Sequence, residues 1–187
     1  MKIVLLNNAE EIRKQFMQHF VLSWEEFQVK QKDWISEIAA RDDVIALEWY
    51  SNAYMWDRID PAFPSVPLKD ALAFLREKNQ KVLFMSEKSV PYAQHHLLFE
   101  GEKHYGFVAQ ASSTELAALI EEEWYEDYIL GMQNMYNPHP VLPVDLYVFD
   151  TSMTWCVVFT HETTDWESEI DDPLKAADSR LCILCNV

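Results

Sequence analysis

The amino-acid sequence predicts an α+β fold with a helical N-terminal half, a mostly antiparallel sheet and a hairpin at about 145–160. Helical periodicity dominates the early part of the chain, strand-like apolar runs dominate the late part, and two of those runs are joined by a short polar turn. The chain has 187 residues, of which 49% are apolar and 13% aromatic, enough for a substantial core. We therefore expect residues 1–187 to form a single α+β domain.

The first elements follow from apolar spacing. Residues 2–6 suit a strand, although five residues cannot separate a strand from a helix. A helix is expected at about 9–20. Ser23 and Glu26 have capping-box spacing, and the apolar residues that follow recur at helical intervals, so another helix is predicted over 24–40. Residues 43–57 fit either a helix or a strand, and we favour the helix.

Proline and glycine mark the middle elements. Pro67 suits the first position of a helix over 68–78, which Asn79 would end. Strands are expected at 81–85 and 105–110, with a turn around Gly101. A long helix is predicted from Ser112 to Leu130, ending at Gly131. Its expected buried stripe consists of Leu116, Leu119, Ile120 and Trp124.

Proline-rich residues 131–144 should form a loop before the last strands. Residues 145–149 and 154–160 predict an antiparallel hairpin, and residues 180–185 a final strand. Cys182 and Cys185 would then point to opposite faces, so buried, apolar-like thiols are a better interpretation than a zinc or redox site. The chain has three cysteines, which do not form a disulfide framework, so reduced thiols and a cytoplasmic location are expected.

Composition excludes several functions. The formal net charge is −16, which disfavours nucleic acid and anionic membranes as partners. The three glycines cannot form a G-x-G-x-x-G turn or a P-loop, so no nucleotide cofactor is expected. The alternating acids at 165–171 resemble a calcium loop, but Ile170 occupies the position of its required glycine, so no metal is expected.

The acidic residues are unevenly distributed. No Lys or Arg occurs between Lys103 and Lys175, while residues 104–174 contain 14 carboxylates. We call residues 104–174 the acidic stretch. A negative face would attract a basic partner, whereas the alternative is a surface that serves only solubility. The candidate partner-binding residues are Glu121, Glu122, Glu126, Asp127, Asp165, Trp166, Glu167 and Glu169.

Part of the acidic stretch resembles a pattern in small bacterial proteins without an assigned activity. These proteins have a D-[LI]-Y-[VI]-x-D strand, a turn, an aromatic-bearing strand and a closing T-H-E. Here the matching residues are Asp145–Asp150, Trp155 and Thr160–Glu162. The resemblance covers about a tenth of the chain and implies a bacterial origin but no site residues. As a class, small acidic bacterial proteins also resemble toxin-neutralising immunity proteins.

Three functions follow as hypotheses. The leading one is a non-enzymatic acidic binding protein, an immunity protein that neutralises a basic toxin such as a nuclease. The second is an enzyme or small-ligand binder with a pocket near the hairpin, using His161 with Asp145 or Asp150. No catalytic residue is assigned, because nothing in the sequence fixes their geometry. The third is an oligomer subunit whose acidity serves solubility.

Overall fold

The computed structural model describes residues 2–40, 54–86, 107–134, 142–143, 145–163 and 180–186. Their helices are α1 (Ala9–Phe20), α2 (Trp24–Lys30), α3 (Lys32–Ala40), α4 (Leu68–Lys78) and α5 (Ser113–Asn134), with a short 3₁₀ turn at Met55–Arg58. The strands are β1 (Val4–Leu5), β2 (Ser65–Pro67), β3 (Lys81–Ser86), β4 (Val108–Ser112), β5 (Leu146–Phe149), β6 (Trp155–Thr163) and β7 (Arg180–Asn186). The fold is α+β.

The seven described strands form one sheet in the order β1-β4-β3-β5-β6-β7-β2. Every pairing is antiparallel, including the predicted hairpin of β5 and β6. Both ends of the sheet are short strands: β1 has two residues and β2 three. Three of the seven strands precede residue 87, so the first half of the chain contributes to the sheet as well as to the helices.

Helices cover both faces of the sheet, so its central strands are buried on each side. On β5, Leu146 and Val148 contact the layer formed by α4 and α5, whereas Tyr147 and Phe149 contact α1 and the 3₁₀ turn. This is the period-2 alternation of a strand, here with apolar residues on both faces. The alternation also separates Cys182 from Cys185, which are buried in different layers as predicted.

The N-terminal elements match the predictions except at one break and at residues 54–57. Ser23 accepts a hydrogen bond from Glu26 N at 3.2 Å and donates its own backbone N–H to the Glu26 carboxylate at 2.9 Å, which confirms the capping box. The predicted helix over 24–40 is two helices separated at Gln31. Of the predicted helix at 43–57, residues 43–53 lie outside the described residues. The prediction was wrong for residues 54–57, where Tyr54 precedes a short 3₁₀ turn that runs from Met55 to Arg58.

The helix α4 begins and ends at the predicted residues. Pro67 is the N-cap and the last residue of β2, not the first helical residue. Asn79 ends the helix in the left-handed conformation, with φ 42°.

Gly131 does not end α5, and that prediction was wrong. The helix continues to Asn134, because an interior glycine weakens a helix by only about 1 kcal/mol and the flanking Leu130 and Met132 are good helix formers. The predicted stripe is confirmed: Leu116, Ile120 and Trp124 are buried and Leu119 is partly buried. Among the described helices, none combines the length and apolar character needed to cross a bilayer.

Candidate functional site

The candidate site lies at one end of the sheet, where β3 ends at Ser86, β5 begins after Asp145, and β6 reaches His161. We call this the His161 end, and the opposite end, where β5 meets Asp150, the Asp150 end. Ser86 is the register partner of Leu146, and Leu146 is also the partner of Phe159. Pairing of neighbouring strands therefore brings three distant parts of the sequence together.

Asp145 and His161 are in direct contact. The imidazole Nδ1 of His161 lies 3.0 Å from each carboxylate oxygen of Asp145, and the backbone N–H of His161 donates to Asp145 Oδ1 at 2.9 Å. Asp145 is 5% exposed, while the His161 side chain is 40% exposed. A buried carboxylate therefore holds a partly exposed imidazole in one orientation.

Two aromatic residues, one immediately before the 3₁₀ turn and one within it, pack against this imidazole. The ring centroid of His161 lies 5.2 Å from that of Tyr54 and 5.8 Å from that of Trp56, both edge to face. Trp56 is held by its backbone N–H, which donates to the Tyr147 hydroxyl at 3.1 Å. The buried indole N–H of Trp56 has no hydrogen-bond partner among the described residues.

The charge of His161 is set mainly by carboxylates. The Asp145 hydrogen bond raises the pKa of His161 above its ordinary value, against the opposing effect of partial burial, and Glu162 and Asp57 raise it further. Since Asp145 binds at Nδ1, the other ring nitrogen, Nε2, is the one available to a ligand or partner. No described residue hydrogen-bonds to Nε2.

Arg180 connects α5 to the same end of the sheet. Its guanidinium lies 4.0 Å from the Trp124 ring centroid, and its Nε donates to the Thr160 carbonyl at 2.8 Å. Beside Arg180 lies an open cleft with an empty volume of about 310 Å³, part of which is open solvent. It is lined by Ile120, Glu123, Trp124, Leu142, Pro143, Leu146 and Arg180.

The structure separates the two acidic partners proposed for His161. Asp150 lies at the other end of β5, where its carboxylate accepts hydrogen bonds from Thr154 N at 2.7 Å and Trp155 N at 3.1 Å. Asp145 is therefore the carboxylate that contacts His161, and Asp150 organises the hairpin turn.

The predicted partner-binding residues are placed only in part. Glu121 and Glu122 are exposed on α5, and Glu121 forms an ion pair with Arg76. Glu126 and Asp127 belong to the same helix. The remaining predicted contacts, Asp165, Trp166, Glu167 and Glu169, lie outside the described residues.

Sequence analysis missed Tyr54, Trp56 and Arg180 as parts of this site. Arg180 had a detectable signal, because a charged residue that begins a buried strand needs a partner. The two aromatic residues had none, since their contacts with His161 span more than 100 positions.

The described part of the chain contains no group of three or more His, Cys, Asp or Glu residues able to hold a metal ion. Desolvation raises the pKa of the Cys156 thiol and raises that of Cys182 to about 12, so both thiols are held in their unreactive, protonated form. Comparison with protein-family models, curated proteins and solved structures found no match to this chain.

Proposed function

We propose that this chain is an acidic binding protein that neutralises a basic protein, as an immunity protein neutralises a nuclease toxin. The carrying observation is that several elements place carboxylates at the His161 end of the sheet. Asp145, immediately before β5, contacts the imidazole, and Glu162 on β6 and Asp57 on the 3₁₀ turn act on it, while Glu123 lines the cleft on the face of the sheet that α5 covers. Such a concentration favours a cationic partner.

The rest of the acidic stretch is tethered to the same end. Thr163 and Arg180 are register partners, so the two residues that border 164–179 lie at neighbouring positions of the sheet. Residues 164–179 contain six carboxylates and one lysine. The predicted contacts Asp165, Glu167 and Glu169 are therefore joined to this end through a short length of chain.

The helix α5 carries further residues of the acidic stretch. It continues for ten residues beyond Trp124, which packs on Arg180 at the His161 end. At 1.5 Å per residue this is about 15 Å of helix. Glu122 is exposed and has no partner among the described residues, so it is available to a basic protein.

The genomic neighbourhood gives the first test. A toxin gene beside this one would support an immunity function, and its product would be the partner to measure. Association of the two purified proteins should slow at least tenfold between low and physiological salt, as electrostatically steered association does. Association that is insensitive to salt would contradict the proposal.

A matched pair of charge reversals locates the contact. If α5 forms part of the contact, Glu122→Lys should slow association more than Glu11→Lys, because Glu11 is exposed on α1, which packs with the 3₁₀ turn on the face of the sheet opposite α5. Equal effects would indicate attraction by net charge alone and would count against a contact surface on α5.

The second candidate is a small-ligand site or an enzyme at His161. The contact between His161 Nδ1 and Asp145 favours it, because a carboxylate that fixes an imidazole leaves Nε2 ready to accept or donate a proton. Thermal-shift measurements with a panel of small organic ions should then show stabilisation of the wild type that His161→Ala abolishes. Stabilisation that survives in the variant would reject this site.

A further inference from the structure

We propose that His161 makes the recognition of a basic partner proton-dependent, so that the protein binds its partner more weakly when this imidazole is protonated. The inference rests on the proposed function, because it assigns a regulatory group to the same end of the molecule. It depends on where the imidazole lies, which groups surround it and how exposed it is.

Three carboxylates and two aromatic rings surround the imidazole within the described part of the chain. Asp145, immediately before β5, contacts Nδ1 at 3.0 Å, Glu162 follows on β6, and Asp57 lies on the 3₁₀ turn. Tyr54 contributes a ring and a phenol. The described basic groups at this end of the sheet are held by the protein: Arg180, 4% exposed, donates to the carbonyl of Thr160, and Arg13, also 4% exposed, donates to the carbonyl of Ser86 at 2.7 Å. Arg58 lies on the 3₁₀ turn beside Asp57. A proton on His161 is therefore the change in charge that an incoming partner would meet at this point.

The sign of the effect follows from charge. Protonated His161 adds one positive charge at a partly exposed position and forms an ion pair with the buried Asp145, whereas neutral His161 leaves the negative charge of Asp145 uncompensated. A cationic partner therefore binds the neutral form better. By thermodynamic reciprocity the bound partner must also disfavour protonation of His161.

The probe is fluorescently labelled octa-arginine, titrated into the intact chain in low-salt buffer between pH ~6 and pH ~8.5, a window in which histidine titrates and carboxylates do not. Wild-type affinity should rise with pH by about threefold to tenfold more than that of His161→Gln, the effect of one unit charge a few Å away at a protein surface. His19→Gln is the matched control, since His19 is exposed on α1, and it should behave as the wild type.

A second measurement needs no variant. In ¹H–¹³C NMR spectra of the wild type, saturating octa-arginine should lower the pKa of His161. Absence of peptide binding at both ends of this pH range would overturn the proposed function and this inference with it. Binding with equal pH dependence in the wild type and His161→Gln, or an unchanged pKa of His161, would overturn the inference alone.

Discussion

Two buried aspartates at the two ends of β5 show how one residue type can serve different purposes. Asp145 is 5% exposed and Asp150 is 8% exposed. Asp150 is satisfied by its own turn, accepting from the backbone N–H groups of Ser152, Thr154 and Trp155 and from the Thr154 hydroxyl. Asp145 is satisfied by the backbone and the imidazole of His161, 16 residues away.

The difference lies in the donors. Backbone N–H groups do not titrate, so the backbone donors of the Asp150 turn do not change with pH. An imidazole titrates near neutrality and is partly exposed, so the interactions of Asp145 change with pH. The Asp150 end is therefore structural, and the His161 end can respond to its surroundings.

The largest expected effect is at the Asp150 end. Asp150→Ala should destabilise the protein by about 3 kcal/mol, because it leaves several buried backbone donors without acceptors. Urea unfolding measures this loss, and Thr151→Ala, at an exposed position of the same turn, is the control. If Asp150→Ala lowered the free energy of unfolding by less than Thr151→Ala does, the turn would not depend on this carboxylate.

Asp145→Asn should have a smaller effect on stability, about 1.5 kcal/mol at pH ~6, because asparagine still accepts a hydrogen bond but no longer pairs with imidazolium. It should also lower the pKa of His161, whose largest upward cause is this carboxylate. NMR titration measures the pKa. An unchanged pKa in Asp145→Asn would show that other carboxylates determine the pKa of His161.

The pH dependence of stability provides a third comparison. Because folding raises the pKa of His161, the stabilisation from this group is fully present below about pH 6.5, the value in the unfolded chain, and is lost as the pH rises through the folded-state pKa. The urea midpoint of the wild type, relative to that of His161→Gln, should therefore fall between pH ~6 and pH ~8.5. A difference that grows with pH would reverse the sign and contradict the assignment.

The smallest effect on stability is expected for a residue that lies at neither the His161 end nor the Asp150 end. Glu121→Gln removes the ion pair with Arg76, whose side chains are 56% and 40% exposed. Exposed pairs contribute about 0.5 kcal/mol or less, and added salt should erase the difference. A loss comparable to that of Asp145→Asn would mean that the pair holds α5 against α4.

Sequence alone determined the local elements, because their signals lie within a few residues. Ser23 and Glu26 specify the start of α2 through hydrogen bonds between near neighbours. The alternation of side chains along a strand predicted that Cys182 and Cys185 would point to opposite faces of the sheet. Gly131 was wrongly predicted to end α5, because an interior glycine weakens a helix only slightly and the flanking residues continue it.

Only the tertiary structure decided which carboxylate pairs with His161. Asp145 and Asp150 flank the same strand and are equally plausible in sequence, but antiparallel pairing carries β6 back past β5 and brings His161 to the end where Asp145 lies. The packing of Tyr54 and Trp56 on that imidazole likewise joins parts of the chain more than 100 positions apart. The physical reason is that hydrogen-bond geometry and side-chain alternation act over a few residues, whereas a site assembled from several elements depends on strand order and register, which are set by packing of the whole sheet.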